Sequence, residues 1–128
     1  MNYGYKRTVD ISFGDTDTKI RETLQDQGFG ILTEIDVKST LKEILDKDFQ
    51  KYTILGACNP PLALQALTEE QAIGLLLPCN VVLWENDDAS TTIAAIDANQ
   101  MMTIVNNDNL RDLAEQVNTL LKNAVDAV

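Results

Sequence analysis

The sequence contains no histidine. Histidine is the central base of Ser-His-Asp triads and Cys-His dyads, and it supplies metal ligands in HExxH zinc helices and in two-His-one-carboxylate iron sites. All four kinds of site are therefore excluded. An enzyme built from this chain has to use Cys, Asp, Glu, Lys, Tyr or Arg, or a cofactor of unknown identity. No complete catalytic constellation is present, so the sequence leaves open whether the protein is an enzyme.

Cysteine is almost as scarce, with only Cys58 and Cys79 in the chain. A Cys₄ zinc site needs four thiolates and cannot form within one chain, so we expect no metal site; only two subunits that pool their cysteines could form one. The first seven residues, MNYGYKR, have no apolar stretch behind their basic residues. This pattern does not match a secretory signal peptide, and we expect a protein of the cytoplasm, where thiols stay reduced.

Long apolar runs and positive charge are also lacking. The most apolar stretch, residues 72–84, is interrupted by Gly74, Pro78 and Asn80 and is shorter than the ~20 residues that a membrane-spanning helix needs. Twenty acidic residues against ten basic ones give a net charge of −10. Nucleic acids and anionic membranes attract clustered Lys and Arg, so we expect neither as a partner. The simplest role of the excess charge is solubility.

The 128 residues, 45% of them hydrophobic, predict one globular domain that covers residues 1–128. Strand-like patterns occur in residues 5–13, 29–37, 52–57, 80–85 and 91–97. Helical patterns lie between these strands and at the end of the chain. The predicted helix signals are Asp15 or Thr16 as the first cap, Gly28 as a C-terminal stop, Thr40 in a capping box, Asn59-Pro60 and Thr68 as starts, and Asn107 or Asp108 as the last cap.

The predicted order of elements is β-α-β-α-β-α-α-β-β-α. The closing pair of strands is short and adjacent, which is typical of a hairpin and favours antiparallel pairing. We therefore predict the α+β class: a mixed or mainly antiparallel sheet of about five strands, with helices packed on one side.

Two segments carry a Cys-Asn pair at a junction between a strand and a helical connection: GACNP at residues 56–60 and LPCNV at residues 77–81. If the two strands are antiparallel neighbours, both cysteines lie at the same end of the sheet. If the strands run parallel through a crossover, the cysteines lie at opposite ends.

Four residues in these segments are the candidate site. Cys58 directly precedes a helix start, a position at which the helix dipole favours a thiolate, although free cysteines are more often small buried hydrophobes, and that applies to Cys79 too. Asn59 is a helix cap or a ligand contact. Asn80 lies inside an apolar run, where a buried amide needs hydrogen-bond partners; a structural bridge and a ligand contact both fit.

Three stretches together, GFGILTEIDV at 28–37, YTILGACNP at 52–60 and GLLLPCNVV at 74–82, closely resemble the bacterial and archaeal family DUF302, a domain of unknown function. The resemblance covers essentially the whole chain. It implies a compact α+β fold and a homodimer, and it supplies no activity, substrate or cofactor.

Two functions follow as hypotheses. The first is a small dimeric module that binds an apolar or cationic ligand, or a partner, beside the Cys-Asn segments. The second is a thiol-dependent redox or nucleophilic function, with Cys58 as the more reactive thiol and Cys79 as its partner. The first is favoured because the chain lacks a complete catalytic constellation.

Overall fold

The structure, a computed structural model, describes residues 1–128. Its strands are β1 (Gly4–Val9), β2 (Gly30–Asp36), β3 (Tyr52–Cys58), β4 (Cys79–Glu85) and β5 (Thr91–Ile96). Its α-helices are α1 (Phe13–Asp26), α2 (Val37–Leu45), α3 (Pro60–Glu69), α4 (Ala98–Val105) and α5 (Arg111–Asp126). Short 3₁₀ turns cover Gln71–Leu76 and Asp108–Leu110. No helix is both long and apolar enough to cross a membrane.

The five strands form one sheet in the order β1-β5-β4-β3-β2, and every neighbouring pair is antiparallel. The connections β2–β3, β3–β4 and β4–β5 therefore join antiparallel neighbours, whereas the β1–β2 connection, which contains α1, crosses from one edge of the sheet to the other. The predicted α+β class is confirmed, together with the order of the strands along the chain.

Several helix boundaries differ from the prediction because a nearer polar side chain caps the helix. Ser12 accepts from the Asp15 amide and starts α1, so the first strand ends at Val9. Asp36 accepts from the Ser39 amide and starts α2, so the capping box predicted at Thr40 is wrong. The helix α4 was not predicted. Gly28, at φ +88°, follows the end of α1 as predicted.

One face of the sheet forms the core. Side chains from alternate positions of the three central strands, such as Leu55, Val81 and Ile93, are fully buried. They pack with α1 and α5, whose inward residues include Ile20 and Leu121. We call this the covered face.

The opposite face of the sheet carries the alternate set of residues. One cross-strand row on it runs from Lys6 through Ala94, Val82 and Ile54 to Ile35. None of these residues belongs to a buried hydrophobic cluster, and Ile35 is 47% exposed. We call this the open face. The helices that pack on the main core therefore lie on one side of the sheet, as predicted.

Candidate ligand-binding site

Cys58 and Cys79 lie at the same end of the sheet. Strands β3 and β4 are antiparallel neighbours, and Ala57 is opposite Cys79 in their register. Cys58 is therefore one residue beyond the position that faces Cys79. Of the two arrangements that the sequence allowed, the structure has the one that brings the cysteines together.

Both cysteines border a cavity of about 310 Å³. Fifteen residues line it, and twelve of them are hydrophobic. No lining residue carries a charge. The lining residues are Phe29, Leu32, Ala57, Cys58, Asn59, Leu62, Ala63, Ala66, Leu67, Gly74, Leu77, Pro78, Cys79, Leu113 and Val117. Such a lining, mostly apolar with a few polar groups, is typical of sites for small molecules.

Asn59 holds the start of α3 and also contacts the end of α1. Its Oδ1 accepts from the Leu62 amide at 3.5 Å, and its Nδ2 donates to the Gln27 carbonyl at 3.4 Å. Both bonds are long for N–H···O hydrogen bonds. A Cβ added at Gly28 would lie 3.0 Å from Nδ2, so the amide packs closely against that glycine. Asn59 is thus a helix cap, as predicted, and it borders the cavity as well.

Gly56 lies where two side chains approach the backbone. A Cβ at this position would overlap Thr33 Oγ1 and would lie 2.7 Å from Pro78 Cγ. The register of β2 against β3 shifts between Ile31 and Thr33, which brings Thr33 opposite Gly56. The absence of a side chain at Gly56 allows β2 and the Pro78 segment to meet at the end of the sheet that holds the cavity.

The two thiols differ in their surroundings. Cys79 is buried in the main core, and this burial, with a smaller contribution from nearby Cys58, raises the pKa of the Cys79 thiol to about 11. Cys79 is therefore protonated at neutral pH. Cys58 is half-buried at the end of β3, and the two cysteines are not bonded to each other.

Asn80 differs from the expectation of a buried amide. It is exposed, does not line the cavity, and lies opposite Gly56 on the open face. The reason is that residues 80–85 are buried on one face only: Val81 and Leu83 point into the core, whereas Asn80, Val82 and Trp84 occupy the other face. The apolar run at 80–85 does not mean that both faces are covered.

Most of the apolar lining comes from elements other than the Cys-Asn segments. Leu113 and Val117 belong to α5, and Leu62, Ala63 and Ala66 to α3. In the sequence Leu113 and Val117 show only the spacing of an inward helix face. Nothing in that spacing distinguishes residues that fill a core from residues that border a cavity.

Larger depressions elsewhere are less suited to a specific ligand. Two of them, of about 840 and 650 Å³, lie along α4 and α5 and are lined almost wholly by polar residues such as Asn99, Asp112 and Glu115. No group of three or more Cys, Asp or Glu side chains is arranged to hold a metal ion. The 310 Å³ cavity is therefore the candidate site.

A family model described as domain of unknown function DUF302 matches residues 5–128. The chain belongs to this family. It is similar to the crystal structure of an uncharacterised conserved DUF302 protein from Bacillus stearothermophilus, at 26% sequence identity and a TM-score of 0.92. The match covers 99% of this chain and 98% of the other. No curated protein matches the chain.

Proposed function

We propose that this DUF302 protein is a homodimeric module that binds a small apolar molecule in the cavity beside Cys58, Asn59 and Cys79. One observation carries the proposal: the three sequence stretches 28–37, 52–60 and 74–82, distant along the chain, each contribute to the lining of one uncharged cavity. The cavity is half open to solvent and leaves apolar lining residues such as Leu32 and Leu67 exposed, so an apolar occupant that covers them would be stabilised by their burial.

The size of the cavity limits the ligand. A dry cavity of about 150 Å³ holds one benzene molecule, so 310 Å³ suits roughly ten to fifteen non-hydrogen atoms. The absence of any Lys or Arg from the lining leaves a carboxylate or phosphate without a partner. The net charge of −10 further disfavours an anion. An ammonium group would likewise find no charged partner in the lining, so the cavity suits a neutral apolar body. A cationic group is favoured over an anionic one only through the net charge of the whole chain.

Asn59 and Cys58 are the polar groups that can orient this ligand. The Asn59 amide makes only two long hydrogen bonds within the protein, at 3.4 and 3.5 Å. A ligand hydroxyl or ammonium can replace them or add to them at little cost. The Cys58 thiol adds a weak donor at the same end of the sheet.

A charge series of naphthalene probes tests the proposal. We expect 2-naphthalenemethanol and 2-naphthylmethylammonium to bind at least about tenfold more tightly than 2-naphthoate. In ¹H–¹⁵N spectra the shifted amides should be those around the cavity, including Leu62 and Val117. Equal affinity for all three probes, or shifts confined to other surfaces, would contradict the proposal.

A second candidate function is thiol chemistry, favoured by the position of both thiols on one cavity. In this function Cys58 is the reactive group, because Cys79 is buried and protonated at neutral pH. Alkylation of the folded protein, resolved by peptide mass, separates the two candidates. Rapid labelling of Cys58 near pH 7 supports thiol chemistry, and labelling only after unfolding removes it.

The proposal includes a cytoplasmic location. In a reducing compartment the two neighbouring thiols would stay unbonded, as they are in the structure.

A further inference from the structure

The open face of the sheet is an unusually apolar surface for the outside of an acidic protein. Its central row, Ala94, Val82, Ile54 and Ile35, crosses four adjacent strands without a polar residue before Lys6 ends it on β1. Ile35 is exposed, Ile54 and Val82 are half-buried, and the small Ala94 is buried among its neighbours. An antiparallel sheet that faces water on one side normally places polar side chains there. We infer that this open face is the surface through which two copies of the chain associate, which rests on the homodimer proposed above.

Aromatic side chains extend this surface toward one end of the sheet. Trp84 lies opposite Tyr52 in the register. Their rings are stacked, with 5.7 Å between the ring centroids and an angle of 7° between the ring planes. Phe49 packs on Tyr52, with 6.3 Å between the ring centroids. All three keep part of their surface accessible, and large half-exposed aromatic residues are typical of the centres of protein interfaces.

Charge favours a second copy at this face. Twenty acidic residues and a net charge of −10 make two copies repel each other wherever carboxylates meet. The open-face positions of the three central strands contain no acidic residue; they are Tyr52, Ile54, Gly56, Asn80, Val82, Trp84, Thr92 and Ala94. A patch without charge is complementary to itself, which a two-fold interface requires.

The flat area of the face is more than half of what each partner contributes to a standard interface. Five strands at ~4.8 Å spacing and six residues at ~3.4 Å give a flat area of about 500 Å². The partly accessible aromatic side chains beside the row add to this flat area, whereas Gly56, Thr92 and Ala94 are buried and add almost nothing. The result approaches the ~800 Å² that each partner contributes to a standard interface. Two such faces can pack as in a sandwich, with their sheets about 10 Å apart.

Three variants that each add one negative charge test the inference by sedimentation equilibrium. Val82→Glu and Ile35→Glu place the charge on the open face. Leu75→Glu is the matched control, because Leu75 is an apolar residue that is 89% exposed and lies outside the sheet. Ile35 is already 47% exposed, so Ile35→Glu serves if circular dichroism shows that Val82→Glu does not fold.

We expect the unmodified protein to sediment at twice its chain mass of 14.2 kDa. Each open-face variant should raise the dimer dissociation constant at least tenfold, and Leu75→Glu should leave it within about twofold. A monomeric unmodified protein at 200 µM would overturn both the homodimer and the interface. A dimer that tolerates both open-face charges would overturn the interface alone and leave the homodimer standing.

The single tryptophan gives an independent readout. Trp84 is half-buried in the isolated chain, and a second copy on the open face would exclude water from its ring. Dilution through the dissociation constant should then shift its fluorescence to longer wavelength. An emission maximum that stays constant while the mass halves would place the interface elsewhere and overturn the inference.

Discussion

The side chain of Thr33 occupies the space in which a Cβ of Gly56 would lie. The contact joins the bulged part of β2 to the last residues of β3. It fixes the end of the sheet at which the cavity opens, so the identity of residue 56 matters for the fold and for the site.

Substitution of Gly56 by alanine should destabilise the protein. The new methyl group would overlap Thr33 and lie 2.7 Å from Pro78 Cγ, and relief of this overlap should lower the free energy of unfolding by ~1–3 kcal/mol. Gly14→Ala is the control, because nothing lies within 4 Å of its added Cβ and alanine favours the helix. Urea denaturation that shows equal stability for both variants would contradict the packing of Thr33 on Gly56.

Arg7 should stabilise the fold from an unexpected position. It interrupts the apolar alternation of β1, and the structure explains why: its Nη1 donates to the carbonyls of Val125 and Asp126 at 3.1 and 3.0 Å. These carbonyls belong to the last turn of α5, where a cation is favourable. We expect Arg7→Ala to lower the free energy of unfolding by ~1–2 kcal/mol.

The control for Arg7 is Arg111→Ala. The Arg111 side chain is 74% exposed and pairs with Asp108 on the surface, and such pairs contribute little. A thermal melt should show a clear loss for Arg7→Ala and almost none for Arg111→Ala. Similar losses in both variants would mean that Arg7 acts only as a surface charge.

The sequence predicts local features of this fold better than tertiary ones. Gly28 and Asn59 act as predicted, because a helix stop and a helix cap depend on the residues next to them. The cap at Asp36 was missed because Thr40 offers a competing signal four residues later. Local propensity alone does not decide between two such caps.

The candidate site was predicted in part. The antiparallel neighbours β3 and β4 bring Cys58 and Cys79 to one end of the sheet, which the sequence offered as one of two arrangements. The contribution of α5 to the cavity depends on how that helix crosses the sheet, and no residue pattern records this. Asn80 was misjudged because an apolar run does not reveal whether a helix covers one face or both.

Asn80→Leu should therefore leave stability nearly unchanged. Asn80 is exposed and its side chain makes no hydrogen bond within the protein, so its loss leaves no group unsatisfied. The change in the free energy of unfolding should stay within ~0.5 kcal/mol in chemical denaturation at a protein concentration below the dimer dissociation constant. A loss above ~1 kcal/mol would instead indicate that the Asn80 amide hydrogen-bonds buried backbone groups.

The stability of the protein should depend on Cys79 at alkaline pH. Burial raises the pKa of this thiol from 9.0 to about 11, so the fold favours the protonated form. The corresponding stability is complete below pH ~9 and is lost as the pH rises through the folded-state pKa near 11. At pH 10.5 the loss amounts to about 2 kcal/mol.

Cys79→Ala isolates this effect, since Lys and Tyr residues titrate in the same range in both proteins. The difference in unfolding free energy between the parent and Cys79→Ala should shrink by about 2 kcal/mol between pH 8 and pH 10.5. A difference that stays constant over this interval would mean that Cys79 is not desolvated in the folded protein.

The most direct test of the ligand-binding proposal fills the cavity. Ala63 lines it, and Ala63→Phe adds a ring where the ligand body would lie. Leu64→Phe adds an aromatic ring one residue further along α3, at a position that is 68% exposed and outside the cavity.

The measurement is the dissociation constant of 2-naphthalenemethanol, by calorimetry, for the parent protein and both variants. The account predicts at least a tenfold loss of affinity in Ala63→Phe and an unchanged value in Leu64→Phe. Equal affinity in all three proteins would show that the probe binds elsewhere and would contradict the account.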